Sequence, residues 1–353
     1  MSSDTDSTDD PDYLPSRYLR QERFAPVGKS GQSQLGQKTV LVVGCGALGS
    51  MIAERLVRSG VGRIRIVDRD WVELSNLQRQ TLFTESHALS ASPKAVAAAE
   101  VLHQINSTID IQPVVDDLTC DNIRLLAEGC DLILDGTDNF ETRFLINDYC
   151  VRFDVPWIHG GCLGASGQVM SILPGKTACF RCLVPEMPPA EALQSCDLAG
   201  VLGPAVGLIA CWQSVEALKI LSGNEQSLSQ RLIVLDAWDT ECRLMNLRPS
   251  PDCPACAKRQ FPFLEGVIRS ECVVMCGKNA VQIMQPDSPT GFHDLASLAD
   301  RLAGLGQVQV NAFFVRLKLP DHQITLFRGG RSVVEGTTSG AQAKTLLARI
   351  LGG

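Results

Sequence analysis

The chain has 353 residues, 45% hydrophobic and 20% charged, which is enough for two globular domains. Its formal net charge of -7 argues against broad attraction to nucleic acid or to an anionic membrane. No apolar run approaches the ~20 residues of a membrane span, and the acidic start, MSSDTDSTDDPD, lacks the apolar core of a secretory signal. With 14 scattered cysteines and no export signal, we expect a reducing, cytoplasmic location.

The order of the predicted elements indicates an α/β fold. Residues 1–16 are rich in Ser, Asp and Thr, which predicts a disordered tail. A short helix (RYLRQERF) and a Gly/Ser/Gln loop precede the first strand, TVLVVG, whose continuous apolar run is typical of a strand buried on both faces. Helices and strands then alternate, which predicts a Rossmann-like, mostly parallel sheet. The later helices are expected near residues 93–105, 121–128 and 141–153.

The second half of the chain predicts an antiparallel extension and then an appendage. The runs at 167–173 and 231–245 resemble antiparallel strands, with the apolar helix PAVGLIACWQSVEALKIL between them. After residue 264 the composition shifts, and the order strand, helix, two or three strands, helix predicts a small α/β appendage. We therefore expect a tail over 1–16, a main domain over 17–264 and the appendage over 265–353.

A glycine-rich turn follows the first strand. Gly44, Gly46 and Gly49 form G-x-G-x-x-G, which lets the backbone approach a phosphate at the N-terminus of a helix. A plain tight turn would use the same residues, so the pattern alone is weak. Asp68 ends the second strand, where an acid binds ribose hydroxyls or simply lies at the surface before a helix. These four residues fit NAD and ATP equally well.

The next segment distinguishes an ATP site from an NAD site, because it supplies positively charged side chains. A nicotinamide site has little need of them, whereas a triphosphate under attack gathers negative charge. Asp138, in GTDN, follows a later strand, where its carboxylate could hold Mg²⁺ or cap the next helix. The candidate ligands after Asp68 are Asn76, Arg79, Gln80 and Lys94.

Two C-x-x-C pairs predict a metal site. Each turn can place two thiolates on one ion, and four thiolates form a closed tetrahedral zinc site of structural type. Paired redox thiols are the alternative. The four residues are Cys179, Cys182, Cys253 and Cys256.

Taken together, RYLRQ, GCGALGS, DRD…SNLQRQ, PK, GTDN, CFRC and CPAC resemble the ThiF/MoeB/HesA family, which is related to ubiquitin-activating enzymes. The resemblance covers about residues 17–262. It implies a homodimer with Mg·ATP sites that condenses ATP with the C-terminal glycine of a ubiquitin-like sulfur carrier. One departure is SASPK, where the family more often has a glycine shortly before the proline. By motif match, the ribose would be held by Asp68, the phosphates by Asn76, Arg79 and Lys94, Mg²⁺ by Asp138, and zinc by the four cysteines.

Two further residues enter through the resemblance alone. Arg20, in RYLRQ, matches an arginine that reaches into the partner subunit's site, although a surface charge is the alternative. Cys196 matches a cysteine that some relatives use to form a thioester or acyl-disulfide with the carrier, and that is passive in others.

The appendage shows no rhodanese-type persulfide loop. Cys272 and Cys276 are most simply strand residues, and the final Gly352-Gly353 is interpreted as a helix stop rather than as a carrier tail. Docking of the carrier or dimerisation is the expected role of this region.

Three functions are therefore compared. An adenylyltransferase uses every residue above, with the carrier serving molybdopterin, thiamin, cysteine or another sulfur product, or less plausibly with a tRNA base as the acceptor. An NAD-dependent oxidoreductase leaves Arg79, Lys94 and Asp138 unused. A non-catalytic scaffold that binds carriers leaves the whole nucleotide set unused.

Overall fold

The computed structural model describes residues 17–189, 200–269, 272–275, 279–284, 292, 294–328 and 330–352. An eight-stranded sheet organises the first part of the chain. Its strands are β1 (Thr39–Val43), β2 (Arg63–Val67), β3 (Asp110–Val114), β4 (Leu132–Asp135), β5 (Trp157–Leu163), β6 (Ser166–Ile172), β7 (Arg231–Asp236) and β8 (Glu241–Asn246).

The strand order in this sheet is β3-β2-β1-β4-β5-β6-β7-β8. Strands β1 to β5 pair in parallel, and β5 to β8 pair antiparallel. The predicted fold class, a Rossmann-like sheet with an antiparallel extension, is therefore confirmed.

Helices cover both faces of the sheet. Alternate residues of β1 point to opposite faces, so Val40 and Val42 join one hydrophobic core and Leu41 and Val43 join the other. The helices are α1 (Leu19–Glu22), α2 (Gly28–Leu35), α3 (Ala47–Ser59), α4 (Glu85–Leu89), α5 (Lys94–Ile105), α6 (Ile123–Leu126), α7 (Phe140–Phe153), α8 (Phe180–Leu183) and α9 (Gly203–Leu221), with 3-10 turns at Leu74–Asn76 and Glu225–Ser227.

Helix α2 occupies a segment that was predicted to be a loop, so that prediction was wrong. Leu35 is fully buried, and the Gln32 amide donates to the carbonyl of Ser59 at 3.0 Å. These tertiary contacts outweigh the low helix propensity of a Gly/Ser/Gln sequence. Helix α6 is also shorter than the 121–128 that was expected.

Helix α9 is long and apolar enough, by length and composition, to cross a membrane. This corrects the expectation that no apolar run approaches that length. The helix packs against α3, β5 and β6, and Ile209, Ala210 and Ala217 are fully buried there. A buried core helix meets the same two criteria, so α9 is weak evidence for a membrane protein.

A second sheet of six strands, all paired antiparallel, follows the first. Its order is β11-β12-β13-β14-β10-β9, and it has its own hydrophobic core with two helices. Four strands follow the first of these helices, where two or three were expected. We call residues 272–351 the C-terminal unit; it consists of β9 (Cys272–Met275), β10 (Ala280–Met284), α10 (Leu295–Leu302), β11 (Gln307–Val310), β12 (Phe314–Lys318), β13 (Gln323–Phe327), β14 (Arg331–Glu335) and α11 (Gly340–Leu351).

Candidate functional site

The strand order reverses between β1 and β4, and ligands in sheets of this topology bind in the crevice outside the carboxyl ends of such strands. We call this position the crevice. The glycine turn contacts the segment after β4 so closely that a Cβ on Gly44 would lie 2.7 Å from the carbonyl oxygen of Gly136. A Cβ on Gly49 would lie 1.8 Å from the carbonyl oxygen of Gly44. Gly46 is different, since within the described part of the chain its Cβ would meet only the Gln80 amide, at 3.9 Å. The turn therefore leaves room for a ligand at Gly46.

Asp68 connects the glycine turn to the segment after β2. Its two carboxylate oxygens accept hydrogen bonds from the backbone N–H of Cys45 at 2.6 Å and of Asp70 at 2.7 Å. Burial raises the pKa of Asp68, and the positive charge of Lys94 opposes that shift. Only 8% of Asp68 is exposed, so the alternative of a surface acid was wrong.

Lys94 is the first residue of α5 and is buried at the crevice. Its Nζ lies 3.4 Å from Oδ2 of Asp70. Burial alone would lower the pKa of Lys94, but the charges of Asp70, Asp68 and Asp138 outweigh burial and raise it. The lysine is therefore a cation at neutral pH, surrounded by three carboxylates.

The turn at 74–80 adds two buried amide side chains. Asn76 and Gln80 are buried, and neither Oδ1 of Asn76 nor Oε1 of Gln80 has a hydrogen-bond partner among the described residues. Buried polar atoms are nearly always hydrogen-bonded, so these two oxygens are available to a donor from a ligand or a water. Arg79 is half-buried beside them, and its Nη1 donates to the carbonyl of Ser75 at 2.9 Å.

Asp138 lies exposed in the segment after β4. The N-cap of α7 is the next residue, Asn139, whose Oδ1 accepts from the backbone N–H of Thr142 at 2.8 Å. The alternative that Asp138 caps this helix was therefore wrong. Its carboxylate is left available near Lys94, whose pKa it raises.

A buried polar network below this segment was not predicted. Asp135, the fully buried last residue of β4, pairs with Arg143 at 3.1 Å and with Nδ1 of His159 at 2.7 Å. Burial would raise the pKa of Asp135, but Arg143 and His159 lower it. Burial lowers the pKa of His159. Gln213 of α9 completes the network by donating to the carbonyl of Asp135 at 2.9 Å.

The four predicted cysteines come together in one cluster. The sulfur of Cys179 lies 3.9 Å from that of Cys182 and 3.5 Å from that of Cys253, and Cys182 lies 3.5 Å from Cys256. All four sulfurs lie within 4.8 Å of one another. Zinc–sulfur bonds of about 2.3 Å in a tetrahedron place sulfurs about 3.8 Å apart. The cluster therefore fits zinc.

Arg20 does not lie at the crevice of its own chain. Its helix α1 is fixed by Gln21, which donates to the carbonyl of Ser59, and by Tyr18, which accepts from Asn106. These contacts lie at the amino ends of β2 and β3, whereas the crevice lies at the carboxyl ends. A five-residue strand separates the two edges by about 16 Å.

The remaining predicted residues are less informative. Cys196 and Cys276 lie outside the described residues, and Cys272 is described only as backbone of β9. Gly352 adopts a left-handed conformation as the C-cap of α11, so its interpretation as a helix stop is confirmed.

Known proteins resemble this chain over most of its length. The ThiF family matches residues 18–255. The sulfur carrier protein ThiS adenylyltransferase of Bacillus subtilis is 40% identical over 343 residues, covering 96% of this chain and all of the relative. The SAMP-activating enzyme E1 of Haloferax volcanii is 36% identical, covering 71% of this chain and 92% of the relative. The adenylyltransferase and sulfurtransferase MOCS3 of Sus scrofa is 37% identical over 80% of this chain, which spans 63% of that protein.

Among solved structures, Escherichia coli MccB with ATP has a TM-score of 0.61 at 22% identity, covering 70% of this chain and 75% of MccB. That likeness supports the fold. The match over residues 18–255 and the full-length relative at 40% identity show that the chain belongs to the ThiF family.

Proposed function

We propose that this chain is an ATP-dependent adenylyltransferase that activates the C-terminal carboxylate of a ubiquitin-like sulfur carrier. The observation that supports it most directly is the crevice, where a buried lysine, a half-buried arginine and an exposed carboxylate surround a glycine turn. The full-length relative acts on ThiS. A ThiS-like carrier is therefore the first candidate, and the nicotinamide alternative is not favoured.

The nucleotide would bind with its phosphates along the glycine turn. Gly46 leaves the backbone open to the phosphates, and Asp68 faces the ribose from the end of β2. The unpartnered oxygens of Asn76 and Gln80 accept hydrogen bonds from hydroxyl or amine groups of the nucleotide. Lys94 and Arg79 supply positive charge at the phosphates.

In the reaction, the carrier's carboxylate oxygen bonds to the α-phosphorus while the bond from phosphorus to the pyrophosphate oxygen breaks. The products are an acyl-adenylate and pyrophosphate. No general base is required, because a carboxylate is ionised at pH 7. Lys94 and Arg79 lower the barrier by stabilising charge that grows on the phosphates and by holding two anions in line.

The metals belong to the same proposal. A single exposed carboxylate suits Mg²⁺, which keeps several waters and is completed by phosphate oxygens, so Asp138 would hold it beside the nucleotide. Bound Mg²⁺ would neutralise phosphate charge. Zinc at the four cysteines would be structural, since four thiolates close its coordination. Every cysteine whose side chain the structure describes is free, which suits a reducing compartment such as the cytoplasm.

Carrier-dependent exchange of radiolabelled pyrophosphate into ATP tests the function. We expect exchange with a ThiS-like carrier that ends in Gly-Gly and none with the carrier lacking its last glycine. Arg79→Ala should lower the exchange rate by about 100-fold, because one charged contact to the reacting phosphates is lost. Its melting temperature should stay unchanged, since Arg79 is only half-buried.

A matched control is Arg58→Ala. Arg58 is an exposed arginine that pairs with Glu54 on α3 at 2.8 Å, and such pairs contribute little to stability. It should exchange pyrophosphate like the wild type. Full exchange by Arg79→Ala would remove that residue from the site. Oxidation of NADH by the wild type, with no exchange for any carrier, would replace the proposal by the oxidoreductase.

A further inference from the structure

The C-terminal unit contacts the segment that follows β2. Trp71 follows the segment that carries Asp68, and its ring lies 5.8 Å from that of Phe327, stacked, and 6.4 Å from that of Phe314. The guanidinium of Arg316 lies 4.8 Å from the Trp71 ring centroid. Trp71, Phe314 and Phe327 belong to one buried apolar cluster, so the two parts share a core at this point.

Arg331 extends from β14 into the nucleotide-binding segment. It is 3% exposed, donates to the backbone carbonyl of Arg69, and lies 3.7 Å from the Phe327 ring centroid. Burial, together with the charge of Arg69, lowers the pKa of Arg331 to about 10. The side chain is therefore still charged at pH 7, and a buried charge must keep its hydrogen bonds.

Gln282, on β10, contacts Asp117, the acid that pairs with the side chain of Arg69. Its Nε2 donates to Oδ2 of Asp117 at 3.0 Å, and that oxygen also accepts from Arg69 at 2.7 Å. Arg331 in turn donates to Gln282 at 3.5 Å. The C-terminal unit thus contacts both the backbone carbonyl of Arg69 and the ion-pair partner of its side chain.

The position of Arg69 matters because its neighbours form the crevice. It lies between Asp68, which binds the glycine turn, and Asp70, whose carboxylate pairs with Lys94. The backbone N–H of Lys94 also donates to the carbonyl of Asp70 at 2.8 Å. A displacement of Arg69 would therefore move both the ribose acid and the phosphate lysine.

We propose that the C-terminal unit is a positioning element of the nucleotide site, acting through Arg331 and Gln282 on residues 68–70. This inference rests on the proposed function and deepens it. Neither residue touches the nucleotide. Each holds residues 68–70, the segment that contacts the nucleotide. The C-terminal unit therefore contributes to ATP affinity rather than to recognition of the carrier.

Titration calorimetry of the full chain with Mg·ATP tests this inference. Arg331→Met keeps much of the side-chain volume but removes the donors, and we expect the Kd for Mg·ATP to rise about tenfold, the change that corresponds to one hydrogen bond involving a charged group. In the exchange assay the KM for ATP should rise and the KM for the carrier should not. Arg331→Lys keeps one donor and should recover part of the affinity.

The matched control is Arg301→Met. Arg301 also donates to a backbone carbonyl, that of Leu351, but this contact lies within the C-terminal unit. It should bind Mg·ATP like the wild type. An unchanged Kd in folded Arg331→Met would overturn the inference. If that variant does not fold, Gln282→Met leaves Arg331 in place and should still raise the Kd, and an unchanged Kd there would be equally decisive.

The outcomes for the two proposals are distinct. A wild type that binds Mg·ATP but adenylates no carrier would overturn the proposed function alone, because the positioning inference is measured by the Kd. A wild type that binds no nucleotide would overturn both.

Discussion

Asp135 fixes the segment that carries Asp138. Its Oδ1 accepts from the N–H and the hydroxyl of Thr137 at 2.9 and 2.7 Å. Arg143, which pairs with Asp135, also donates to the carbonyl of Thr137 at 2.6 Å. Thr137 is thus held through both its backbone and its side chain. We infer that this network holds Asp138 at the crevice.

Arg143→Met tests the network by removing the charge while keeping the apolar stem. Asp135 would then be buried without its cation, and breaking a buried ion pair costs about 3–5 kcal/mol. We expect a loss of unfolding free energy of about 3 kcal/mol in urea unfolding at pH 7. Leu125→Ala, at an exposed site on α6, is a suitable control. A loss no larger than that of the control would contradict the prediction.

The difference should depend on pH. In the wild type the pKa of Asp135 is lowered, so its contribution to stability is present above the unfolded pKa, near 3.9, and is lost as the pH falls through the lower folded value. The deficit of Arg143→Met should therefore be largest near neutrality and shrink as the pH falls, starting above pH 4 because the loss of Arg143 raises the pKa of Asp135 in the variant. A deficit that does not change with pH would point to packing instead.

Site residues in short local motifs could be predicted from the sequence. Residues that pair between distant segments could not. Gly44, Asp68 and Lys94 occur in short motifs, and the structure places them at one crevice. Asp135 and His159 form their pair between β4 and β5, which no local spacing reveals. One signal was present, because an acid that ends the apolar run LIL of a buried strand requires a buried partner.

Among the elements, the cysteine cluster joins two segments that follow different strands. The turn at α8 comes after β6, and the second pair comes after β8. The N–H of Ser250 donates to Cys182 at 3.4 Å. The pKa of the Cys182 thiol is lowered because Cys179 and Ser250 donate to its sulfur. The hydrogen bond to Cys182 and burial raise the pKa of Cys179, and burial raises the pKa of Cys256. Binding of a cation would therefore release protons from these thiols.

Cys253→Ser tests the zinc proposal. We expect about one zinc per chain in the wild type by mass spectrometry of the purified protein, and little in the variant. The variant should also melt at lower temperature, because structural zinc contributes directly to folding. Cys211→Ser, at an exposed cysteine outside the cluster, should keep its zinc. A wild type with no zinc and a disulfide within the cluster would favour the redox alternative.

Element types were predictable where periodicity was strong. Helices α5 and α7 begin and end within about two residues of their predicted bounds. Helix α2 was missed because its Gly/Ser/Gln sequence carries no apolar helical period, and its stability comes from the buried Leu35 and the hydrogen bond of Gln32 to Ser59. Neighbouring short strands, as in β11 to β14, are difficult to count from composition alone.

For the whole molecule, alternating strands and helices were enough to predict the main sheet, since parallel strands require crossover helices. The packing of the C-terminal unit against the crevice was not predictable. That contact depends on Trp71 and Arg331, which are far apart in sequence and belong to no shared motif. Carrier docking or dimerisation by this unit stays a prediction beside the positioning proposal.

The crevice is incomplete within one chain if Arg20 acts on phosphate, since α1 lies at the opposite edge of the sheet. Helix α9 offers a surface for a second copy. Leu208, Trp212 and Val215 are exposed by 45%, 36% and 46% and recur at the spacing of one helical face. An exposed apolar stripe of this kind marks an interaction site. Helix α2, which contacts α1, packs beside the carboxyl end of α9.

We therefore predict a homodimer formed through this stripe, in which the partner subunit's Arg20 completes each site. Trp212→Glu should convert the dimer to a monomer in sedimentation analysis and abolish exchange, because a charge opposes burial. Leu125→Glu, an exposed apolar site on α6, should stay dimeric. Arg20→Ala and Arg79→Ala should each exchange about 100-fold more slowly than the wild type as dimers, yet their mixture should recover exchange, since each mixed dimer contains one site with both arginines. A mixture that stays inactive after subunit exchange would show that Arg20 is not supplied by the partner subunit, and an Arg20→Ala dimer that exchanges pyrophosphate like the wild type would place Arg20 outside the reaction.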